Sequence, residues 1–192
     1  MIQFIQLFDA QYFENMCRFA LVGGMLYAIV RLFILLLRKK QGHEIHWGRE
    51  ILLFLFFVGG ITLTVQLLLP ILLPRRPWNF VPLRTIREYL APYNGQPVGA
   101  KAWDWYRTAY FWGYLLMYVP FGCLIPALWK KCRSFVKTVS LLTGWIVLLE
   151  CVQHFLGHVG DIDDVILGVI SAALGYGVFW LAWNIKRSTR RH

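Results

Sequence analysis

In this chain of 192 residues, 58% are hydrophobic and only 16% charged, and the mean hydropathy is +0.51, more apolar than a water-soluble globular domain. The formal net charge of +10 does not mark a nucleic-acid binder, because the Lys and Arg residues gather at the ends of apolar runs instead of forming a basic stripe. Four scattered cysteines, Cys17, Cys123, Cys132 and Cys151, match neither a metal-site spacing nor a secreted disulfide framework.

Taken in order, the chain starts with a first apolar run from about Met16 to Leu37, enough residues to cross a hydrocarbon layer of ~30 Å at about 1.5 Å each. It ends in Arg38-Lys39-Lys40, and Arg31, within about two turns of that end, is placed to snorkel toward the same headgroups. A second run, about Ile51 to Leu73, is interrupted by Pro70 and bounded by Pro74, Arg75 and Arg76. The next segment is polar and turn-rich. Within it Thr85 and Glu88 fit a capping box, and Leu83, Ile86, Tyr89 and Leu90 share a face while Arg84 and Arg87 stay wet, which predicts a short helix lying on the membrane surface. A third run, about Tyr106 to Trp129, contains Pro120-Phe121-Gly122 and Pro126 and is expected to be kinked, broken or locally unwound. A fourth, about Phe135 to Phe155, and a fifth, about Ile162 to Trp183, complete an all-α integral membrane protein, a bundle of about five transmembrane helices.

Basic residues cluster after the first, third and fifth runs; the other side holds Arg18, Arg75, Arg76, Arg84, Arg87, Lys101 and Arg107, mostly in one long loop, and no Lys or Arg lies between the fourth and fifth runs. The positive-inside rule then puts the N-terminus outside and the C-terminus in the cytoplasm. Residues 74–105 and the link between the last two runs face outward.

That link carries the densest chemistry, Glu150 to Asp164, ECVQHFLGHVGDIDD. On a helix Glu150, Gln153, His154 and His158 lie on or near one face, Asp161 is a natural N-cap for the fifth helix, and Asp163 and Asp164 occupy its first turn. Ionisable groups in a membrane helix mark a functional site by default. Three chemistries compete: a divalent metal held by Glu150, His154, His158 and an Asp; acid and base work by Glu150 and Asp164, assisted by Asp161 or His158; or a hydrogen-bonded hairpin that holds the outer mouth of the bundle. In the outward loop Arg75, Arg76, Arg84 and Arg87 are suited to a phosphate or carboxylate on an amphiphile, or to ordinary headgroup anchoring.

Asn79-Phe80-Val81-Pro82-Leu83 with Thr85-Ile86, Val119-Pro120-Phe121-Gly122, and Glu150-x-x-Gln153 followed by Asp161-x-x-Asp164 and Gly175-Tyr176 occur in an order that resembles the VanZ-like membrane family, over roughly Trp78 to Trp183. Departures from the family pattern are His158 where Arg is usual, Gly168 for Asn, Ser171 for Gly, and Tyr114 for an Asn. The resemblance implies a protein of the bacterial cell membrane and envelope, linked to low-level resistance to glycopeptides such as teicoplanin, and it adds Asn79 to the site. The expected organisation is a two-helix membrane region at 1–73, an extracytoplasmic loop with an interfacial helix at 74–105, a three-helix VanZ-like core at 106–185 and a basic cytoplasmic tail at 186–192. The expected partners are membrane lipid and a lipid-linked cell-wall precursor or lipoglycopeptide, with no nucleic acid. The rivals are an enzyme modifying such a precursor and a transporter or flippase subunit, though no inverted repeat is evident.

Overall fold

A computed structural model describes residues 10–42, 44–68, 79–91, 102–156 and 160–189. Its elements are α1 (Ala10–Lys40), α2 (Trp47–Leu68), α3 (Arg84–Leu90), α4 (Ala102–Met117), α5 (Val119–Leu128), a 3-10 turn at Lys130–Cys132, α6 (Phe135–Phe155) and α7 (Ile162–Thr189). Five segments are long and apolar enough to cross a membrane: Cys17–Lys40, Trp47–Val65, Phe111–Leu128, Phe135–Phe155 and Ile162–Thr189. The protein is all-α and multi-pass, as its hydropathy requires. It divides into two compact units, Met1–Leu69 and Pro70–His192.

The first unit is a hairpin of α1 and α2. Gly23 and Gly24 let α1 approach closely, for a Cβ at Gly23 would stand 2.8 Å from Ile61 Cγ2. One turn on, the Tyr27 ring stacks on Phe57 at 5.1 Å between centroids and meets Phe54 edge-on at 5.9 Å. One turn further, Arg31 donates from Nε to Glu50 Oε2 at 2.5 Å and from Nη2 to Glu50 Oε1 at 2.7 Å. Arg31 is therefore no simple headgroup anchor. Its side chain is only 19% exposed, and the carboxylate that neutralises it sits on the facing helix. Snorkelling fitted the sequence because Arg31 lies near a basic helix end; a two-point hydrogen-bonded partner within reach wins over a lone excursion to the headgroups.

The second unit is organised around α7, which packs against α4, α5 and α6. Its buried positions, Asp163, Asp164, Leu167, Gly168, Ser171, Ala172, Gly175 and Phe179, recur at the three-and-four spacing of one helix face. On α6 the buried face is Thr138, Leu142, Ile146, Leu149, Glu150 and Gln153. Large apolar side chains such as Trp145, Leu148, Leu174 and Trp180 are left exposed, while Thr138, Glu150, Gln153, Asp163 and Ser171 are buried. Apolar groups outward and polar groups inward suit a lipid surround.

The third span breaks at Tyr118, between α4 and α5. Pro120 has no N–H to continue the ladder and its ring disfavours a helix passing through it. The break leaves the Tyr118 N–H without a helical acceptor, and Ser171 Oγ of α7 accepts it at 2.9 Å. Beyond the break α5 lies almost backbone to backbone with α7. A Cβ at Gly122 would run into the Ala172 carbonyl, and one at Gly175 into the Val119 carbonyl, closer than real side chains approach. Past α5, Thr138 Oγ1 donates to the Cys132 carbonyl, and the Tyr176 hydroxyl donates to the Arg133 carbonyl at 2.8 Å. The Arg133 guanidinium lies 4.1 Å from the centre of the Trp183 ring.

Two outcomes are expected from substitution. Gly122→Ala should lower the stability of the detergent-solubilised protein by about 1–3 kcal/mol, because backbone must move to admit the methyl, whereas Gly144→Ala, with nothing within 4 Å, should leave thermal unfolding unchanged. Replacing Arg31 alone by Met should destabilise the hairpin more than replacing Arg31 and Glu50 together by Met and Leu, since the single change strands a part-buried carboxylate; a double-mutant cycle on thermal unfolding measures the difference.

Candidate functional site

The start of α7 builds the site, and its three aspartates divide the work. Asp161 is the N-cap: its Oδ1 accepts the Asp163 N–H at 2.9 Å. The same carboxylate reaches the segment before α3, with Oδ1 accepting from Asn79 Nδ2 at 3.0 Å and Oδ2 from Thr85 Oγ1 at 2.5 Å. An isolated parallel bridge reinforces the contact, Asn79 N–H donating to the Gly160 carbonyl at 3.0 Å and Ile162 N–H to the Asn79 carbonyl at 3.1 Å.

Asp163, fully buried, accepts three backbone N–H groups from the start of α3: Leu83 at 2.6 Å, Thr85 at 2.7 Å and Ile86 at 3.1 Å. These are the orphan donors of a helix N-terminus, and a carboxylate is their favoured acceptor. They converge because Leu83 adopts a left-handed backbone with φ of 63°, a conformation costing roughly 1–2 kcal/mol for a residue with a Cβ.

The capping box expected at Thr85 and Glu88 is not formed. The N-cap of α3 is Leu83, which has no side chain able to cap; Thr85 gives its hydroxyl to Asp161, and Glu88 pairs with Arg84 at 3.3 Å across one exposed turn. The cap comes instead from a carboxylate some eighty positions along the chain. A buried, rigid acceptor outcompetes an exposed Glu that must give up rotamer freedom to fold back.

Asp164 points the other way, into the helix core beside Glu150. The two are 8% and 6% exposed and within electrostatic reach of each other. The Tyr114 hydroxyl of α4 hydrogen-bonds to Asp164, and the backbone N–H of Asp161 faces the Glu150 carboxylate. Glu150 Oε2 is buried and accepts no hydrogen bond. Among the described residues the ion pairs are Arg18–Glu14, Arg31–Glu50 and Arg84–Glu88, so no Lys or Arg there neutralises Glu150 or Asp164. Tyr118 lies close to both acids.

The other candidates fall as follows. Gln153 is buried on the Glu150 face and His154 is half-buried beside it. Among the described residues no three His, Cys, Asp or Glu side chains converge as a metal ion would need. Arg84 and Arg87 are exposed on α3. His158, Arg75 and Arg76 lie outside the described residues. Tyr114 and Asp163 carry more of the site than sequence reasoning assigned them. The displaced family Asn was the signal for Tyr114; for Asp163 the only signal was its place beside two other acids at a helix start.

Asp163→Ala should raise amide hydrogen exchange at Leu83, Thr85 and Ile86 by at least about tenfold, the consequence of stranding donors worth ~1–3 kcal/mol each. Glu88→Gln should leave exchange at those three amides unchanged.

The family model described as VanZ/LLP1 matches residues 2–183. Neither a curated protein nor a solved structure matches the chain. The match runs through both units and takes in Asn79, Glu150, Gln153, Asp161 and Asp164. With the model matching nearly the whole chain, and with five helices able to span a membrane, the chain belongs to the VanZ/LLP1 family of multi-pass membrane proteins.

Proposed function

We propose that this VanZ-like protein, of a family linked to antibiotic resistance, binds an anionic amphiphile at the outer surface of the bacterial membrane, and that α3 holds the headgroup. The ligand is a lipid-linked envelope molecule or a lipophilic glycopeptide, and sequestering either would lower drug action. The supporting observation is the mounting of α3. Asp161 and Asp163 secure its first turn with five hydrogen bonds from the Asn79–Ile86 segment, yet Arg84 and Arg87 remain exposed. A rigid mount presents guanidinium groups at small entropic cost, and guanidinium forks suit phosphate and carboxylate. Phe80, Val81 and Leu90, also exposed, give an acyl or isoprenoid chain an apolar surface beside the cations. Glu150 and Asp164 would repel an anion and belong to the core beneath, not to the headgroup contact.

A second reading, an enzyme acting on a lipid-linked wall precursor, is favoured by one observation, the two buried acids that no Lys or Arg among the described residues neutralises. Asp161 drops out of that chemistry as a free acid or base, because both its oxygens are engaged.

Arg84→Glu with Arg87→Glu should weaken binding of fluorescent teicoplanin or of a pyrophosphate-linked isoprenoid wall precursor to the protein in nanodiscs by tenfold or more, with the helical content retained. Unchanged affinity for both probes would return α3 to headgroup anchoring. Arg84→Cys, labelled in intact cells by a membrane-impermeant thiol reagent, checks the outward orientation. Precursor recovered chemically unaltered after incubation with the purified protein counts against catalysis.

A further inference from the structure

We propose that Glu150 and Asp164 together form a proton-binding site in the helix core, one that goes beyond headgroup binding and takes an exchangeable proton as its ligand. One acceptor of the site has no donor. Its carboxylates meet the Asp161 backbone N–H and the Tyr114 hydroxyl, and Glu150 Oε2 is left buried with nothing donating to it. An acceptor in that position costs roughly 1–3 kcal/mol, more if it carries charge. A carboxyl O–H supplies the missing donor.

The surroundings leave few other ways to neutralise the pair. From α4 and the break that follows come the phenols of Tyr114 and Tyr118. From α6 come the Gln153 amide, buried on the Glu150 face, and His154, one turn beyond Glu150. From α7 come Asp161 and Asp163, whose oxygens are engaged by Asn79, Thr85 and the α3 amides. The arginines of α3 are exposed, and Arg84 is paired with Glu88. A metal ion needs several convergent ligands, which the described residues do not offer. Packing is tight nearby, with Tyr118 Cδ2 only 3.3 Å from where a Cβ at Gly168 would stand. A proton needs only two oxygens. The step balances simply: one proton from the aqueous phase joins one of the two carboxylates, and the pair keeps one negative charge that the Tyr114 hydroxyl helps to hold.

The test is infrared difference spectroscopy on the full chain in lipid nanodiscs, stepping pH in water and in D2O. The expected result is a protonated-carboxyl C=O band that shifts in D2O and titrates while the protein stays folded. Glu150→Gln and Asp164→Asn should each abolish it, since the new amide N–H provides the donor and lets the remaining acid ionise. Both variants should keep wild-type helicity and elution. Wild type without such a band, a band that never titrates, or one that survives both substitutions would overturn the proposal. So would thermal stability that follows sodium concentration at fixed pH. Arg84→Glu with Arg87→Glu should leave the band in place, so failure of the anion site and failure of the proton site are read separately.

Discussion

In a lipid surround, every backbone N–H released by a helix start or a helix break needs a protein acceptor, because no water reaches it. In the second unit the start and middle of α7 supply acceptors both for the broken span and for the first turn of the exposed α3. Asp161 caps its own helix, Asp163 caps α3, and Ser171 takes the N–H freed at Tyr118. Asp163 and Ser171 occur at the spacing of one buried helical face, with Asp161 just ahead of it, so one helix holds α3, the broken span and the acid pair in register. The glycine contacts of α5 follow from that arrangement. Only with small residues can the broken span come close enough for Ser171 to reach the break.

The same constraint explains why several departures from the family pattern belong together. Tyr114 stands where an Asn is usual and gives its hydroxyl to Asp164. Gly168 stands where another Asn is usual, and any side chain there would press on Ile146 and the Tyr118 ring. Ser171 replaces a Gly and accepts the Tyr118 amide. Larger phenols on the α4–α5 side are matched by a smaller residue on α7, and a hydroxyl appears where the backbone needs an acceptor.

The two units treat buried charge in opposite ways. In the hairpin, Glu50 meets Arg31 through two hydrogen bonds, and the pair is neutral as a whole. In the α7 unit, Glu150 and Asp164 share a core with phenols and no cation among the described residues. A neutralised pair is a stable fixture; an uncompensated one costs solvation energy and persists where something from outside completes it. That contrast is what separates the acids of the last two helices from the Arg31 pair.

Length, hydropathy and punctuation along the chain determined the five apolar spans, the interruption just ahead of Pro120, the fourth span with its ends at Phe135 and Phe155, and Asp161 as a helix cap. All of these depend on neighbours within a turn or two, which is what sequence periodicity encodes. Tertiary structure decided the rest. It gave the cap of α3 to Asp163 instead of Glu88, turned Thr85 toward Asp161, paired Arg31 with Glu50 and set Tyr114 beside Asp164. Those partners lie between 19 and 80 positions apart. Side-chain type alone cannot choose among them, because several acids and several donors were available, and only the packing of α7 against its neighbours brought one of each within hydrogen-bonding distance.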